Sequence, residues 1–331
     1  MDRPSVGKIR RLQQLATPKG ILTVCALDHR GSLQRALNRE NPEAVSYQEM
    51  VDFKLDLAGA VAPFASALLL DPLYGAGQAI ASGILPGHTG LLISLEKSGY
   101  TGESTARISE LLPDWSVGKI KKMGASAVKL LIYLRVDLKE IAAKQLDLVS
   151  RVAEQCLKED LPLLVESLCY LTAAEKDAPE EFSRKKPDLV IEAAARLTAL
   201  PIDILKSEFP ADIDHEKDEN KLRAYCQNLS RASRLPWVLL SAGTDFKRFR
   251  REVEIACRAG ASGFMAGRAL WQEAAQIASR EQRLSFFRSK TVSRLKEIAA
   301  TAEKWGTPWY AKMGYPDGRF PELPDGWYRS Y

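Results

Sequence analysis

The chain has 331 residues, of which 46% are hydrophobic and 27% are charged. A chain of this size can bury a large core without disulfides or metals, and α/β barrels often exceed about 250 residues as one domain. Its formal net charge is +5, and no basic block is interleaved with aromatic residues, which argues against a nucleic-acid surface. No apolar run reaches the roughly 18 residues that span a membrane, and the polar N-terminus lacks the apolar core of a signal peptide. We therefore expect a cytoplasmic protein that binds neither nucleic acid nor membrane.

Short apolar runs alternate with amphipathic segments along the chain. Nearly continuous apolar character over four to eight residues is typical of a parallel strand that is buried on both faces. The eight runs are 21–27, 65–70, 90–95, 127–134, 161–168, 202–209, 237–241 and 263–265. Helical spacing of apolar residues appears at 51–61, 145–156, 189–200 and 249–259, the first of them preceded by a capping box from Ser46 to Glu49.

Eight strands, each followed by a helix, predict an α/β fold, a single (β/α)8 TIM barrel. A doubly wound open sheet is the competing arrangement, but it typically has fewer strands, and no G-x-G-x-x-G follows the first run. We expect one domain over 1–331, with a short N-terminal extension (1–19) and an irregular C-terminal tail (310–331). The charged stretches 169–188 and 210–221 contain prolines and predict long loops at the functional rim.

Two lysines inside apolar strands are the strongest chemical signal. Lys129 and Lys206 lie on the fourth and sixth strands, and Glu166 lies on the strand between them. Buried lysine is rare unless it is paired or functional, and a desolvated amine can attack a carbonyl to form an iminium. Glu166 can then act as general acid and base. The alternative is a structural ion network, in which either lysine pairs with Glu166 or Glu208.

The loops after the seventh and eighth strands predict a phosphate site. They contain Ser241, Gly243, Gly267 and Arg268. Barrels often bind phosphate at these loops, where glycines let backbone N–H groups approach an anion and arginine adds a bidentate contact. The alternative is that the glycines only turn the chain.

The first strand ends in Asp28-His29-Arg30. Asp28 can pair with a barrel lysine or orient a substrate hydroxyl, and Arg30 can bind a second anionic group. The alternative is that Asp28 caps a helix and Arg30 is solvated. The three histidines have no metal-ligand spacing and the five cysteines form no C-x-x-C pair, so we predict no metal and no cofactor.

Five motifs together resemble the class I tagatose-1,6-bisphosphate aldolase family and the related 6-deoxy-6-sulfofructose-1-phosphate aldolase. They are Ala-Leu-Asp-His-Arg-Gly at 26–31, Gly-Ala-Ser-Ala-Val-Lys-Leu-Leu-Ile-Tyr at 124–133, Asp-Ile-Leu-Lys-Ser-Glu-Phe-Pro at 203–210, Pro-Trp-Val-Leu-Leu-Ser-Ala-Gly at 236–243 and Gly-Ala-Ser-Gly-Phe-Met-Ala-Gly-Arg-Ala-Leu-Trp at 260–271. The resemblance covers residues 20–309. One departure is His29, where the tagatose enzymes are expected to carry Gln.

The resemblance implies cleavage of a ketose 1,6-bisphosphate to dihydroxyacetone phosphate and glyceraldehyde 3-phosphate. It assigns the Schiff base to Lys206, acid–base chemistry to Glu166 and auxiliary roles to Lys129 and Asp28. The phosphate loops map onto Ser241, Gly243, Gly267 and Arg268. It leaves open whether the far end of the substrate carries phosphate, sulfonate or neither, and whether the protein is a homo-oligomer. The remaining alternatives are a non-catalytic sugar-phosphate-binding barrel and a metal-dependent aldolase.

Overall fold

The computed structural model describes residues 4–329 and 331. Eight parallel strands close into a barrel in sequence order, from β1 to β8 and back to β1, which confirms the predicted (β/α)8 fold. The strands are β1 Leu22–Leu27, β2 Ala67–Leu70, β3 Gly90–Ser94, β4 Ala127–Tyr133, β5 Leu163–Leu168, β6 Ile204–Ser207, β7 Trp237–Leu240 and β8 Gly263–Ala266. Each lies within one of the eight apolar runs or ends one residue beyond it.

Helices surround the barrel. They are α1 Val6–Leu15, α2 Gly31–Leu37, α3 Tyr47–Val61, α4 Ala76–Ala81, α5 Val117–Lys122, α6 Lys139–Lys158, α7 Ala173–Lys176, α8 Pro179–Leu197, α9 Glu219–Ala232, α10 Phe246–Arg258, α11 Arg268–Trp271, α12 Arg280–Phe286, α13 Val292–Trp305 and α14 Trp309–Lys312. A π-helical turn at Phe287–Thr291 joins α12 to α13. The predicted capping box is present, since Ser46 and Glu49 exchange hydrogen bonds at the start of α3.

Side chains of the strands alternate between two buried layers. Outward residues such as Val128, Leu205 and Phe264 pack beneath the helices. Inward residues form a second cluster at the bottom of the barrel, which includes Leu164 and Ile204. Since side chains alternate along a strand, the next inward positions above them are Glu166 and Lys206. The fold therefore places these polar side chains one layer above an apolar floor.

The region after β5 differs from the predicted loop. Most of residues 169–188 is helical, because α8 begins at Pro179 and continues through Pro187. Proline is favoured at the start of a helix, but inside one it removes a backbone donor, so the sequence signal suggested a break. The predicted loop at 210–221 is irregular up to α9, which begins at Glu219.

The two ends of the chain meet the bottom of the barrel. Leu12 and Leu15 of α1 and Trp309 of α14 pack into the inward cluster. Lys8 forms a buried ion pair with Asp203, 2.8 Å away. Residues 1–3 of the predicted extension and residue 330 of the predicted tail lie outside the described residues. Among the described residues, no helix is long and apolar enough to cross a membrane.

Candidate active site

Four predicted residues converge at the C-terminal end of the barrel. Lys129 Nζ lies 2.8 Å from Asp28 Oδ2 and 2.9 Å from Glu166 Oε2. Lys206 Nζ lies 2.9 Å from the same Glu166 oxygen. The two lysines therefore meet through one carboxylate. Residue exposure is 1% for Lys129, 4% for Lys206 and 7% for Glu166, so the cluster is largely buried.

A third carboxylate, Glu96, was not predicted. Its Oε1 lies 2.6 Å from Lys129 Nζ, and its Oε2 accepts a hydrogen bond from the backbone N–H of Leu131 at 3.1 Å. Glu96 lies just after the carboxyl end of β3, and Glu166 and Lys206 lie near the carboxyl ends of β5 and β6. Barrel enzymes place reactive groups at these ends, so the same criterion selects Glu96 too.

The surroundings fix the charges of this cluster. Burial lowers the pKa of Lys129, but the carboxylates of Asp28, Glu166 and Glu96 outweigh that effect and raise it well above the ordinary value. Burial raises the pKa of Glu166, but Lys129 and Lys206 together hold it below its usual range. At neutral pH, Lys129 is therefore an ammonium and Glu166 a carboxylate. Among the described residues, Glu166 is the sole ionic partner of Lys206.

A cavity of about 350 Å³ opens above the cluster. Asp28, Lys129, Glu166 and Lys206 line it together with the predicted anion-binding residues Arg30, Ser241, Gly267 and Arg268. Arg30 is buried and donates a hydrogen bond to the Glu96 carbonyl at 2.6 Å. The alternative interpretation, in which the Arg30 side chain is solvated, is therefore wrong.

Gly243 does not line this cavity. It lies in an adjoining cleft, with its φ at +78°, and a Cβ atom there would come within 2.7 Å of the Arg268 guanidinium carbon. Arg268 therefore lies directly over the glycine and borders both spaces. Asp245 follows as the N-cap of α10 and accepts a hydrogen bond from the Arg248 N–H.

His29 is partly buried, and its side chain lines the cavity. Its ring meets Trp271 edge to face, with the ring centroids 5.2 Å apart, and lies against Gly267. Burial lowers the pKa of His29 to about 3, although Asp28 opposes the shift. The imidazole is therefore neutral at physiological pH. Within the described part of the chain, no three His, Cys, Asp or Glu side chains form a group suited to a metal ion.

Sequence comparison relates this arrangement to known proteins. Residues 22–273 match the DeoC/LacD family aldolases. The tagatose 1,6-diphosphate aldolase of Streptococcus agalactiae serotype V is 34% identical over 278 residues, which cover 80% of this chain and 85% of that protein. The enzyme of the same name from Lactococcus lactis is 30% identical over 323 residues, which cover 92% of this chain and 98% of that protein.

Structural comparison relates the barrel to a solved aldolase. A structure described as a Schiff-base-forming fructose-1,6-bisphosphate aldolase superposes with a TM-score of 0.59 and 19% identity, covering 89% of this chain and 99% of that chain. Similarity at this level of identity supports the fold alone.

Proposed function

The chain belongs to the DeoC/LacD aldolase family, and we propose that it cleaves a ketose 1,6-bisphosphate, such as tagatose 1,6-bisphosphate, through a Schiff base on Lys206. The products are dihydroxyacetone phosphate and glyceraldehyde 3-phosphate. The prediction of an aldolase, a carbon–carbon lyase, is confirmed by the family match. The ketose is inferred from the tagatose 1,6-diphosphate aldolases that resemble this chain.

The observation that carries this proposal is the Glu166 oxygen that both lysines contact at 2.9 Å. Lys129 is held as an ammonium by three carboxylates, so it is a poor nucleophile. Within the part of the chain that the structure describes, Lys206 has a single carboxylate partner, Glu166, which can accept its proton as the amine attacks the substrate. On this geometry we assign Lys206 as the nucleophile, Glu166 as the acid and base, and Lys129 as a fixed positive charge.

The steps balance with these groups alone. Lys206 gives a proton to Glu166, its amine adds to the C2 carbonyl, and a second proton passes from the nitrogen to the C2 oxygen to give a carbinolamine. Glu166 returns the proton to the C2 hydroxyl, which leaves as water, and an iminium remains. Glu166 then removes the proton of the C4 hydroxyl. The C3–C4 bond breaks, its electron pair enters the iminium to give an enamine, and the aldehyde departs. Protonation of C3 and hydrolysis release dihydroxyacetone phosphate.

The substrate phosphates fit the basic groups around the cavity. Ser241, Gly267 and Arg268 lie at the ends of β7 and β8, where barrels commonly bind phosphate. Arg30 and Asp28 lie at the end of β1, so we assign Arg30 to a second anionic group and Asp28 to the field around Lys129. We place the reaction in the cytoplasm, since all five cysteines are free.

Steady-state cleavage tests the proposal. Purified enzyme is assayed with and without EDTA on tagatose 1,6-bisphosphate, fructose 1,6-bisphosphate and 6-deoxy-6-sulfofructose 1-phosphate. We expect turnover of the first, and a loss of at least about 10³-fold in kcat for Lys206→Met, because no other group there forms the imine. The matched control is Lys221→Met, which alters an exposed lysine and should retain full activity.

Each remaining alternative gives a different result in this assay. Cleavage of the sulfonated substrate alone would assign the enzyme to the 6-deoxy-6-sulfofructose 1-phosphate reaction. Loss of cleavage with EDTA would indicate a metal-dependent aldolase. No cleavage of any ketose phosphate, with sugar-phosphate binding retained, would indicate a non-catalytic binding barrel.

A further inference from the structure

A second, larger cleft adjoins the catalytic cavity on the outer rim of the barrel. It has a volume of about 750 Å³ and runs between α2 and the start of α10. Ser32, Arg35 and Arg268 line both spaces. The cleft contains none of the four residues of the lysine–carboxylate cluster, and of the residues predicted to bind the substrate phosphate it contains Gly243 and Arg268.

The lining of this cleft is strongly basic. Five basic side chains border it, against two acidic ones. Its basic residues are Arg35, Arg39, Lys247, Arg268 and Arg294. Of the two acidic residues, Glu273 is neutralised by Arg294 at 2.5 Å, and Asp245 caps α10.

Four of these cations lack a carboxylate or hydrogen-bond partner among the described residues. Within the described residues, Arg35, Arg39, Lys247 and Arg268 form neither an ion pair nor a side-chain hydrogen bond. The Nε of Arg268 is buried and unpaired. Burial lowers the pKa of Arg268, Glu166 and Asp28 oppose that shift, and the nearby charge of Arg35 adds to it. Cations that converge on one concave space without a carboxylate partner favour an anionic ligand.

The shape of the cleft limits what that ligand can be. The four unpaired cations face a single concave space of small-molecule size rather than a stripe along the surface. Their combined positive charge exceeds the negative charge of one phosphate group, which is about −2 at neutral pH. We propose that this cleft is a second anion site that takes a small molecule with two or more phosphate groups. Because Arg268 borders both spaces, an occupant draws its guanidinium away from the catalytic cavity and weakens substrate binding.

The probe is inorganic pyrophosphate. The positions to change are Arg39 and Lys247, because both are exposed and line the cleft but not the catalytic cavity. We compare the wild type with the double variant Arg39→Gln/Lys247→Gln. The matched control, Lys122→Gln/Arg288→Gln, removes the same charge from exposed residues elsewhere. Pyrophosphate binding to the full chain is measured by calorimetry at constant ionic strength, and the KM for the ketose bisphosphate is measured with and without pyrophosphate.

We expect pyrophosphate to bind roughly tenfold more weakly to the cleft variant than to the wild type or the control. Pyrophosphate should raise the KM of the wild type and of the control, and it should raise the KM of the cleft variant much less. Without pyrophosphate, the cleft variant should have the same KM as the wild type. Equal binding by all three proteins would overturn the proposal, as would equal inhibition of all three. The binding measurement needs no turnover, so it remains decisive even if the proposed reaction is wrong.

Discussion

The decisive residue in the site is Glu166, because it connects two lysines that have different environments. Among the described residues, Lys129 forms ion pairs with Asp28, Glu96 and Glu166, whereas Lys206 forms one with Glu166 alone. A buried ammonium with three carboxylates is strongly stabilised in its charged form. Lys129 therefore keeps its positive charge, whereas Lys206 can pass a proton to Glu166.

Acid stability provides a test at His29. Its pKa is lowered to about 3 in the folded protein, against 6.5 as the ordinary value. As the pH falls below 6.5, the unfolded chain gains a proton that the folded chain does not. The free energy of unfolding should therefore decrease, on the order of 1 kcal/mol per pH unit, towards pH 3. Urea denaturation between pH 4 and 7 measures this slope.

His29→Gln should flatten that slope, whereas His88→Gln should not, because His88 is exposed. A change in the stability at neutral pH is expected for His29→Gln, since its ring packs against Trp271, but the slope alone is the test. An unchanged slope in His29→Gln would show that the buried imidazole is not the group responsible.

The sequence identifies individual reactive residues well and their partners less well. Lys129 and Lys206 stand out because lysine is rare in an apolar strand. Glu96 was missed although it directly follows the apolar run 90–95, as Asp28 follows the run 21–27, so its position was a usable signal. The contact between Gly243 and the Arg268 guanidinium could not be predicted, since it depends on the direction of a long side chain.

At the scale of elements, a buried ion pair fixes the end of β1 against α3. Lys54, on α3, is 1% exposed; it pairs with Asp71 and donates a hydrogen bond to the Leu27 carbonyl at 2.6 Å. Asp71 also accepts the backbone N–H groups of Leu73 and Tyr74, each at 2.9 Å. This network supports the segment that presents Asp28 to the cavity.

Lys54→Met should destabilise the protein by about 3–5 kcal/mol, because it leaves the Asp71 carboxylate buried without a counter-charge. Denaturant unfolding measures the loss, and Lys19→Met, at an exposed lysine, should change stability by less than about 1 kcal/mol. The double variant Lys54→Met/Asp71→Asn should recover part of the loss. If Lys54→Met were as stable as the wild type, the Lys54–Asp71 ion pair would contribute nothing to the free energy of unfolding.

Periodicity predicted the existence of strands and helices better than their ends. The eight apolar runs correspond to the eight strands, because burial on both faces imposes continuous apolar character. Helix α8 begins ten residues earlier than the pattern suggested, at Pro179 rather than 189. Its first half has charged residues and Pro187, so its helical state depends on tertiary packing that local signals do not contain.

At the scale of the whole molecule, stability and chemistry occupy opposite ends of the barrel. Leu12 and Leu15 of α1, with Trp309, seal the bottom, while the polar cluster lies at the top. This division is typical of barrel enzymes, in which the bottom contributes to stability.

Leu15→Ala should reduce the free energy of unfolding by about 2–5 kcal/mol, because it opens a cavity at a fully buried position. The kcat and KM of the folded variant should be unchanged. Leu157→Ala, at an exposed leucine, should change stability by no more than about 0.5 kcal/mol. A Leu15→Ala enzyme with unchanged stability and altered kcat would contradict this separation of roles.

The most direct test of the central claim is borohydride trapping. The enzyme is incubated with dihydroxyacetone phosphate, reduced with sodium borohydride, digested and examined by mass spectrometry. We expect one covalent adduct, on Lys206, and none on Lys129 or in the Lys206→Met variant. An adduct on Lys129, or no adduct on an enzyme that still cleaves the ketose, would contradict a Schiff base on Lys206.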